Sequence, residues 1–223
     1  DQRLSRGLGD VYKRQMFQMI GSFRETIEEW FDVRFQAHLY VSESGVTGAG
    51  SLNGIDPELM DRLLQDPAID FADVMHVCYV KPKKGVTVLA GVDIDHWANE
   101  ARQIWLKPPG SLTVEQGSEA ALVSETFARR FGVLEGGAVK IQTPSGWKSV
   151  SPKGIFCDYG NEFGTAAVDE QVWRQWTGSN RSINASLYLH DSSEINAIRD
   201  RLRLTYPGLD IRNEGELREV AVG

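Results

Sequence analysis

The sequence predicts an α+β protein, a split α/β sandwich in which helices with one apolar face lie on one side of a sheet. Two observations lead there. Short β-rich runs alternate with amphipathic helices, in a βαββ order near the start and a βαβ order near the end. Between them, residues 97–182 change character, with short strand-like pieces and frequent Gly and Pro turns. That middle stretch reads as a small β-rich insert with one short helix.

The elements follow in order. Residues 1–15 are set aside, because Asp10–Gln15, "DVYKRQ", is the translation of GATGTGTATAAGAGACAG. That DNA is a transposon mosaic end used to fragment libraries, so the segment reads as translated sequencing adapter. Met16–Ile20, "MFQMI", is too short to span a bilayer, which takes about 20 residues. No small-residue cleavage site follows it. It is either the greasy start of the first helix or the last turn of a membrane helix. The helix itself, over 22–35, opens with a capping box, Ser22 with Glu25, and places Phe23, Ile27, Trp30 and Phe31 at helical spacing.

Ala37–Ser42 alternates as a half-buried strand does, and a Gly/Ser-rich loop follows. Its glycines match neither a phosphate-binding loop nor a dinucleotide fingerprint. Asp56–Gln65 has a good N-cap, Pro57 at the first helical position, and an apolar face of Leu59, Met60, Leu63 and Leu64. Val74–Lys81 and Val86–Ile94 flank a turn-like "PKKG" and predict a hairpin. In the middle, Ser124 caps a helix carrying Phe127 and Phe131, and Gly132 stops it. A second hairpin is expected from "AVKIQT", the turn "PSG" and the run from Trp147. Ile183–His190 is a strand, Glu194–Leu204 an amphipathic helix, Leu209–Arg212 a last strand, and residues 214–223 begin another helical pattern.

Composition narrows function. The net charge is −7, and residues 1–15 are net positive, so the remainder is more acidic still. An acidic surface argues against nucleic acid and against adsorption to anionic lipid headgroups. Cys78 and Cys157 lie in apparent strands without a metal-binding spacing, and read as two buried free thiols, with a disulfide, which an oxidising compartment would permit, as the alternative. Asp93, Asp95 and His96, with His76 on the paired strand, invite a metal reading. Alternate strand residues point to opposite faces, which favours a solvated strand end instead. Ser124 sits where a helix cap belongs, not a nucleophile. The sequence therefore offers no catalytic, cofactor-binding or metal-binding set. Trp97, Trp105, Trp173 and Trp176 read as core, with an exposed rim for partner or lipid contact as the alternative. The most unusual polar stretch is "CDYGNEFG", where Asp158, Tyr159, Asn161 and Glu162 cluster beside two glycines. It is a possible partner-contact loop, or a turn whose side chains bond its own backbone.

Four motifs occur in sequence order: "GSFRETIEEWF" leading to "AHLYVS", then "ALVSETFARRFG", "GIFCDYGNEFGTAAVD" and "LDIRNEGELREVAVG". Over residues 16–223 this ordered set resembles the large extracytoplasmic domain of FtsX-like ABC transporter permeases, the MacB-type periplasmic core domain. The resemblance implies a porter-like α/β subdomain, 22–96 with 183–213, and an inserted β-rich subdomain, 97–182. It makes 16–21 the end of a truncated transmembrane helix, and 214–223 the start of a helix leading to the next span. It also implies an inner-membrane protein with this domain on the extracytoplasmic side, and no enzymatic activity of its own. The implied partners are a cytoplasmic ABC ATPase subunit, reached through the membrane part, and a second permease copy in a homodimer. A lipoprotein, a lipid-linked molecule or an envelope protein would be the substrate. The insert is compact, so substrate surfaces of better-known members do not transfer. The alternatives from other classes are a free-standing periplasmic binding module and a secreted hydrolase.

Overall fold

A computed structural model describes residues 35–44, 54–101, 103–110, 119–158 and 161–222, with residues 220–222 described by backbone alone. The chain divides into two compact units, 1–36 and 37–223, and the elements below belong to the second. Residues 1–15, the segment 16–21 and all but the end of the helix expected over 22–35 lie outside the described residues.

The second unit is α+β. Its elements are β1 (Leu39–Glu43), α1 (Pro57–Leu64), β2 (Ile69–Pro82), β3 (Thr87–Val92) and α2 (Ile94–Asn99). Next come β4 (Trp105–Lys107), β5 (Ala120–Ser124), α3 (Glu125–Phe131), β6 (Val139–Thr143) and β7 (Gly146–Phe156). The chain continues through β8 (Thr165–Asp169), α4 (Glu170–Thr177), β9 (Asn184–Leu189), α5 (Ile195–Thr205), β10 (Leu209–Arg212) and α6 (Glu214–Val222).

The strands run in the order β10-β1-β9-β2-β3-β8-β5-β7-β4, and β6 pairs with both β2 and β7. Only β3–β8 and β5–β7 are parallel. The long strand β2 joins two regions. Its first half, Ile69 to Met75, pairs with β9 in an open antiparallel sheet. Its second half, His76 to Val80, pairs with β3, and its tip, Lys81 and Pro82, meets Gln142 and Ile141 of β6. Followed around through β3, β8, β5, β7 and β6, the ladders return to β2 and close a ring. Closure removes two sheet edges that would otherwise need covering.

Each region has its own core. Under the open sheet, Leu39, Val41, Leu187 and Ile211 pack on Met60 and Leu63 of α1 and Leu202 of α5. Alternate residues of the ring strands, among them Val80, Leu89, Val123, Ile141 and Val150, pack with Phe127 of α3 and Trp173 and Trp176 of α4. The intervening residues, Ala90, Val92, Leu122 and Ala167, form a third cluster with Ile94 and Trp97 of α2. Period-two alternation thus feeds two apolar faces of the same strands. That is why β3 and β5 are buried along their whole length.

Three of the four tryptophans read as core are buried, Trp97, Trp173 and Trp176, and Trp105 is half-buried against the third cluster. Among the described residues the exposed tryptophan is Trp147, at 55 %. The helix caps obey local chemistry. Asp56 accepts from Glu58 N and Leu59 N, and Asp169 accepts from Gln171 N. The middle segment carries a helix beyond the one expected, α4, whose Val172, Trp173 and Trp176 are buried.

A candidate partner-contact loop at the corner between β7 and β8

The loop 157–164 links β7 to β8, and its polar residues have unequal roles. Asn161 closes a turn on itself. Its Oδ1 accepts from Phe163 N at 2.9 Å, and its Nδ2 donates to Thr165 Oγ1 at 3.0 Å. Thr165 Oγ1 in turn donates to the Asp158 carboxylate at 3.5 Å. Glu162 is exposed. Tyr159 lies outside the described residues. The structure therefore brings Asp158 and Asn161 together through Thr165, while Glu162 faces solvent beside Phe163.

Gly164 sets the loop's position. Its φ is +76°, and a Cβ there would lie 2.7 Å from Phe127 N, so the backbone passes hard against the start of α3. Its carbonyl accepts from Val88 N at 3.0 Å and from Thr87 Oγ1 at 2.8 Å. Ser124 completes the joint. Its buried Oγ accepts from Phe127 N at 3.2 Å, as a helix cap does, and also from Thr165 N at 2.9 Å. A hydroxyl with both lone pairs committed to backbone amides is a brace between β5, α3 and β8.

Sequence reasoning missed two groups at and near this corner. Arg130 of α3 donates from Nη1 to Val86 O at 2.8 Å and Phe163 O at 3.0 Å, tying the β2–β3 turn to the loop. Tyr79 and Phe163, 46 % and 38 % exposed, meet edge-to-face with ring centroids 6.0 Å apart. No local pattern announces either, because both join residues far apart in sequence.

The residues that invited a metal reading are dispersed. Asp93 caps α2 by accepting from His96 N at 2.9 Å, and His96 Nδ1 faces Glu100 at 3.3 Å. His76 is buried elsewhere, with Nδ1 2.9 Å from Arg181 O and Nε2 3.0 Å from the Glu170 carboxylate. Its ring lies 4.9 Å from that of Trp173. The His76 hydrogen bond holds the Glu170 carboxyl below its ordinary value, with Arg174 assisting. Among the described residues no three His, Cys, Asp or Glu side chains converge. Cys78 and Cys157 are not joined in a disulfide. Burial pushes the Cys78 thiol up to about 11, which makes it a poor nucleophile.

No protein-family model matches the chain, and no curated protein matches it in sequence. Solved structures do match. The periplasmic region of MacB from Actinobacillus actinomycetemcomitans aligns at a TM-score of 0.55 and 10% identity, over 84% of this chain and 94% of that one. The extracellular domain of the ABC-type transporter YknZ from Gram-positive bacteria aligns at 0.54 and 12% identity, over 79% and 99%. The fold is that of a MacB-type periplasmic domain. The first neighbour is a periplasmic region, and the second is the extracellular domain of an ABC-type transporter. In this MacB-type fold the loop 157–164 joins β7 to β8, and α6 follows β10 at the C-terminal end of the described residues. No helix among the described residues is long and apolar enough to cross a membrane.

Proposed function

We propose that this chain is the extracytoplasmic domain of an FtsX/MacB-like ABC transporter permease. A cytoplasmic ATPase subunit hydrolyses ATP, the permease dimer changes state, and membrane helices carry that change to this domain. The domain then acts on a lipoprotein, a lipid-linked molecule or an envelope protein, in export or in mechanical signalling across the envelope. The observation that carries the reading is the fold shared with two transporter domains over 94% and 99% of their length. A two-state element biased by nucleotide is the physical requirement.

In this reading the domain works without chemistry of its own. The committed hydroxyl of Ser124 and the raised thiol of Cys78 support that. Residues 22–96 with 183–213 act as the porter-like subdomain and 97–182 as the insert, with β2 shared between the open sheet and the ring. The loop carrying Asp158, Tyr159, Asn161 and Glu162 serves as a partner-contact edge, for which the exposure of Glu162 and Phe163 is the support.

In this reading the helix expected from sequence over 22–35 and the helix at 214–222 are the levers toward the membrane. A flexible Gly-Ser segment inserted after Phe35 in the intact permease should leave ATP hydrolysis running while transport stops, with the domain's circular dichroism unchanged. Normal coupling in that variant would refute the lever. Recovery of the full reading frame tests the whole assignment. Apolar spans on both sides and a neighbouring ATPase gene are expected. A gene that ends on both sides without such spans would instead indicate a free-standing periplasmic binding module.

A further inference from the structure

The turn between β2 and β3, the end of α3 and the start of β6 enclose a cleft of about 660 Å³. Four cations line it, Lys83, Lys84, Arg130 and Lys140, with Phe131 and Ala138 among the apolar residues. No carboxylate among the described residues lines it, and the acidic residue closest in sequence, Glu135, is outside the lining.

The arrangement is unusual for this chain, which carries 31 acidic residues against 24 Lys and Arg. Many of the other described arginines pair with carboxylates: Arg129 with Glu125, Arg174 with Glu170, Arg199 with Glu216, Arg201 with Asp66, Arg212 with Asp210 and Arg218 with Glu214, while Arg62 and Arg181 bond the carbonyls of Glu58 and Gly54. Arg130 bonds carbonyls, those of Val86 and Phe163, so its position is fixed, and no carboxylate among the described residues forms an ion pair with it. It also lies against the turn so closely that a side chain at Gly85 would strike its guanidinium. Lys83 and Lys84 stand exposed on that turn, and Lys140 is exposed on β6, whose neighbour Gln142 pairs with Lys81. Uncompensated like charges held together raise the local potential and attract an anion.

We propose that this cleft binds a phosphate group carried on a larger organic molecule. A dianionic phosphate offers several acceptor oxygens to a fixed guanidinium and mobile ammonium groups at once, which a single carboxylate does not. The cleft volume falls in the range of small-molecule sites, well above what phosphate alone needs. Phe131 and Ala138 supply contact for the rest of the ligand. The phosphate comes from a lipid headgroup or from a soluble phosphate ester. The inference is independent of the transport reading, because the site is built whether or not the domain couples to an ATPase.

The test uses the 223-residue chain. Inorganic pyrophosphate and glycerol 3-phosphate are titrated by calorimetry, and vesicles of phosphatidylglycerol or phosphatidylcholine are compared by co-sedimentation. Saturable binding of either soluble probe, weakened by added salt, is expected if the source is soluble. Binding to phosphatidylglycerol but not phosphatidylcholine vesicles, abolished by the same variants, marks the lipid source. Lys83→Glu with Lys84→Glu should weaken binding about tenfold or more, and so should Lys140→Glu on its separate strand. Circular dichroism should not change, since all three side chains are exposed. Lys107→Glu with Lys153→Glu makes the same charge change outside the cleft lining and should leave binding within about twofold. The proposal is overturned if neither soluble probe nor anionic vesicle binds with Kd below about 1 mM. Equal weakening by the Lys107/Lys153 pair overturns it too, as does binding of polyglutamate that pyrophosphate does not displace.

Discussion

Replacing Gly91 by alanine probes the joint between the ring and α4. Gly91 sits in β3, where a Cβ would lie 2.5 Å from both Cβ and Cγ of Trp173. Those atoms are the rigid base of the indole side chain, not a flexible tip that swings aside. Trp173 is 2% exposed and donates from Nε1 to Leu89 O at 3.3 Å. The added methyl must therefore push α4 off β3 or tilt the indole and break that bond. Overpacking of this kind costs about 1–3 kcal/mol, and the lost hydrogen bond about 1 kcal/mol. The sum, about 2–4 kcal/mol, is a large part of the stability of an ordinary domain. At about 2–4 °C per kcal/mol for a unit of this size, Tm should fall by about 4–16 °C. Thermal unfolding followed by near-UV circular dichroism measures it, because the buried tryptophans report the packing. A double-mutant cycle isolates the cause: in a Trp173→Gly background, which removes both Cβ and Cγ, the cost of Gly91→Ala should shrink toward zero. A Tm within about 2 °C of the parent, or full additivity in the cycle, would refute the steric argument.

Ser124→Ala strips the acceptor from two amides, Phe127 N and Thr165 N, inside the core. Urea unfolding should show a loss of about 2–3 kcal/mol, and a loss below about 0.5 kcal/mol would mean the hydroxyl is only a weak cap. Glu170→Gln tests the buried His76 contact through pH. The Glu170 carboxyl is held below its ordinary value of 4.5, chiefly by the His76 hydrogen bond. A depressed carboxylate stabilises the fold above its unfolded pKa, and that contribution fades as pH falls through the folded one. The parent should thus lose stability on acidification below 4.5 more steeply than the variant, while near neutral pH the variant is weaker by about 1 kcal/mol. Parallel urea midpoints for the two proteins across the acid range would sink that account.

The conformational pieces with local causes were legible. The cap at Asp56, the cap at Ser124 with its stop at Gly132, the amphipathic helix that appears as Ile195–Thr205, and the β2–β3 hairpin all follow from residues within one turn of one another. Boundaries were softer. The first half of β2, Ile69 to Val74, is only half-buried and lacks a clean alternation, so the strand read from sequence starts late. α4 escaped notice although Val172, Trp173 and Trp176 stand at helical spacing, because Asp169 caps it directly at the end of β8 with no turn residue between. At the corner loop, an Asx turn at Asn161 was one of two open readings of the polar cluster. The arginine that fastens the loop and the aromatic pair beside it were not foreseen.

What the sequence determined by itself was the α+β class, the flanking strand and helix order, several helix caps and the acidic balance, since each rests on periodicity, capping or composition read over a few residues. Tertiary structure alone decided that β2 serves two sheets, that β6 closes a ring against its tip, that His76 turns away from His96 to meet Glu170, and that Lys83, Lys84, Arg130 and Lys140 surround one cleft. The reason is physical: strand pairing across the ring, and the meeting of charges it produces, depend on contacts between distant parts of the chain. Closing those loops costs entropy that only the assembled core repays.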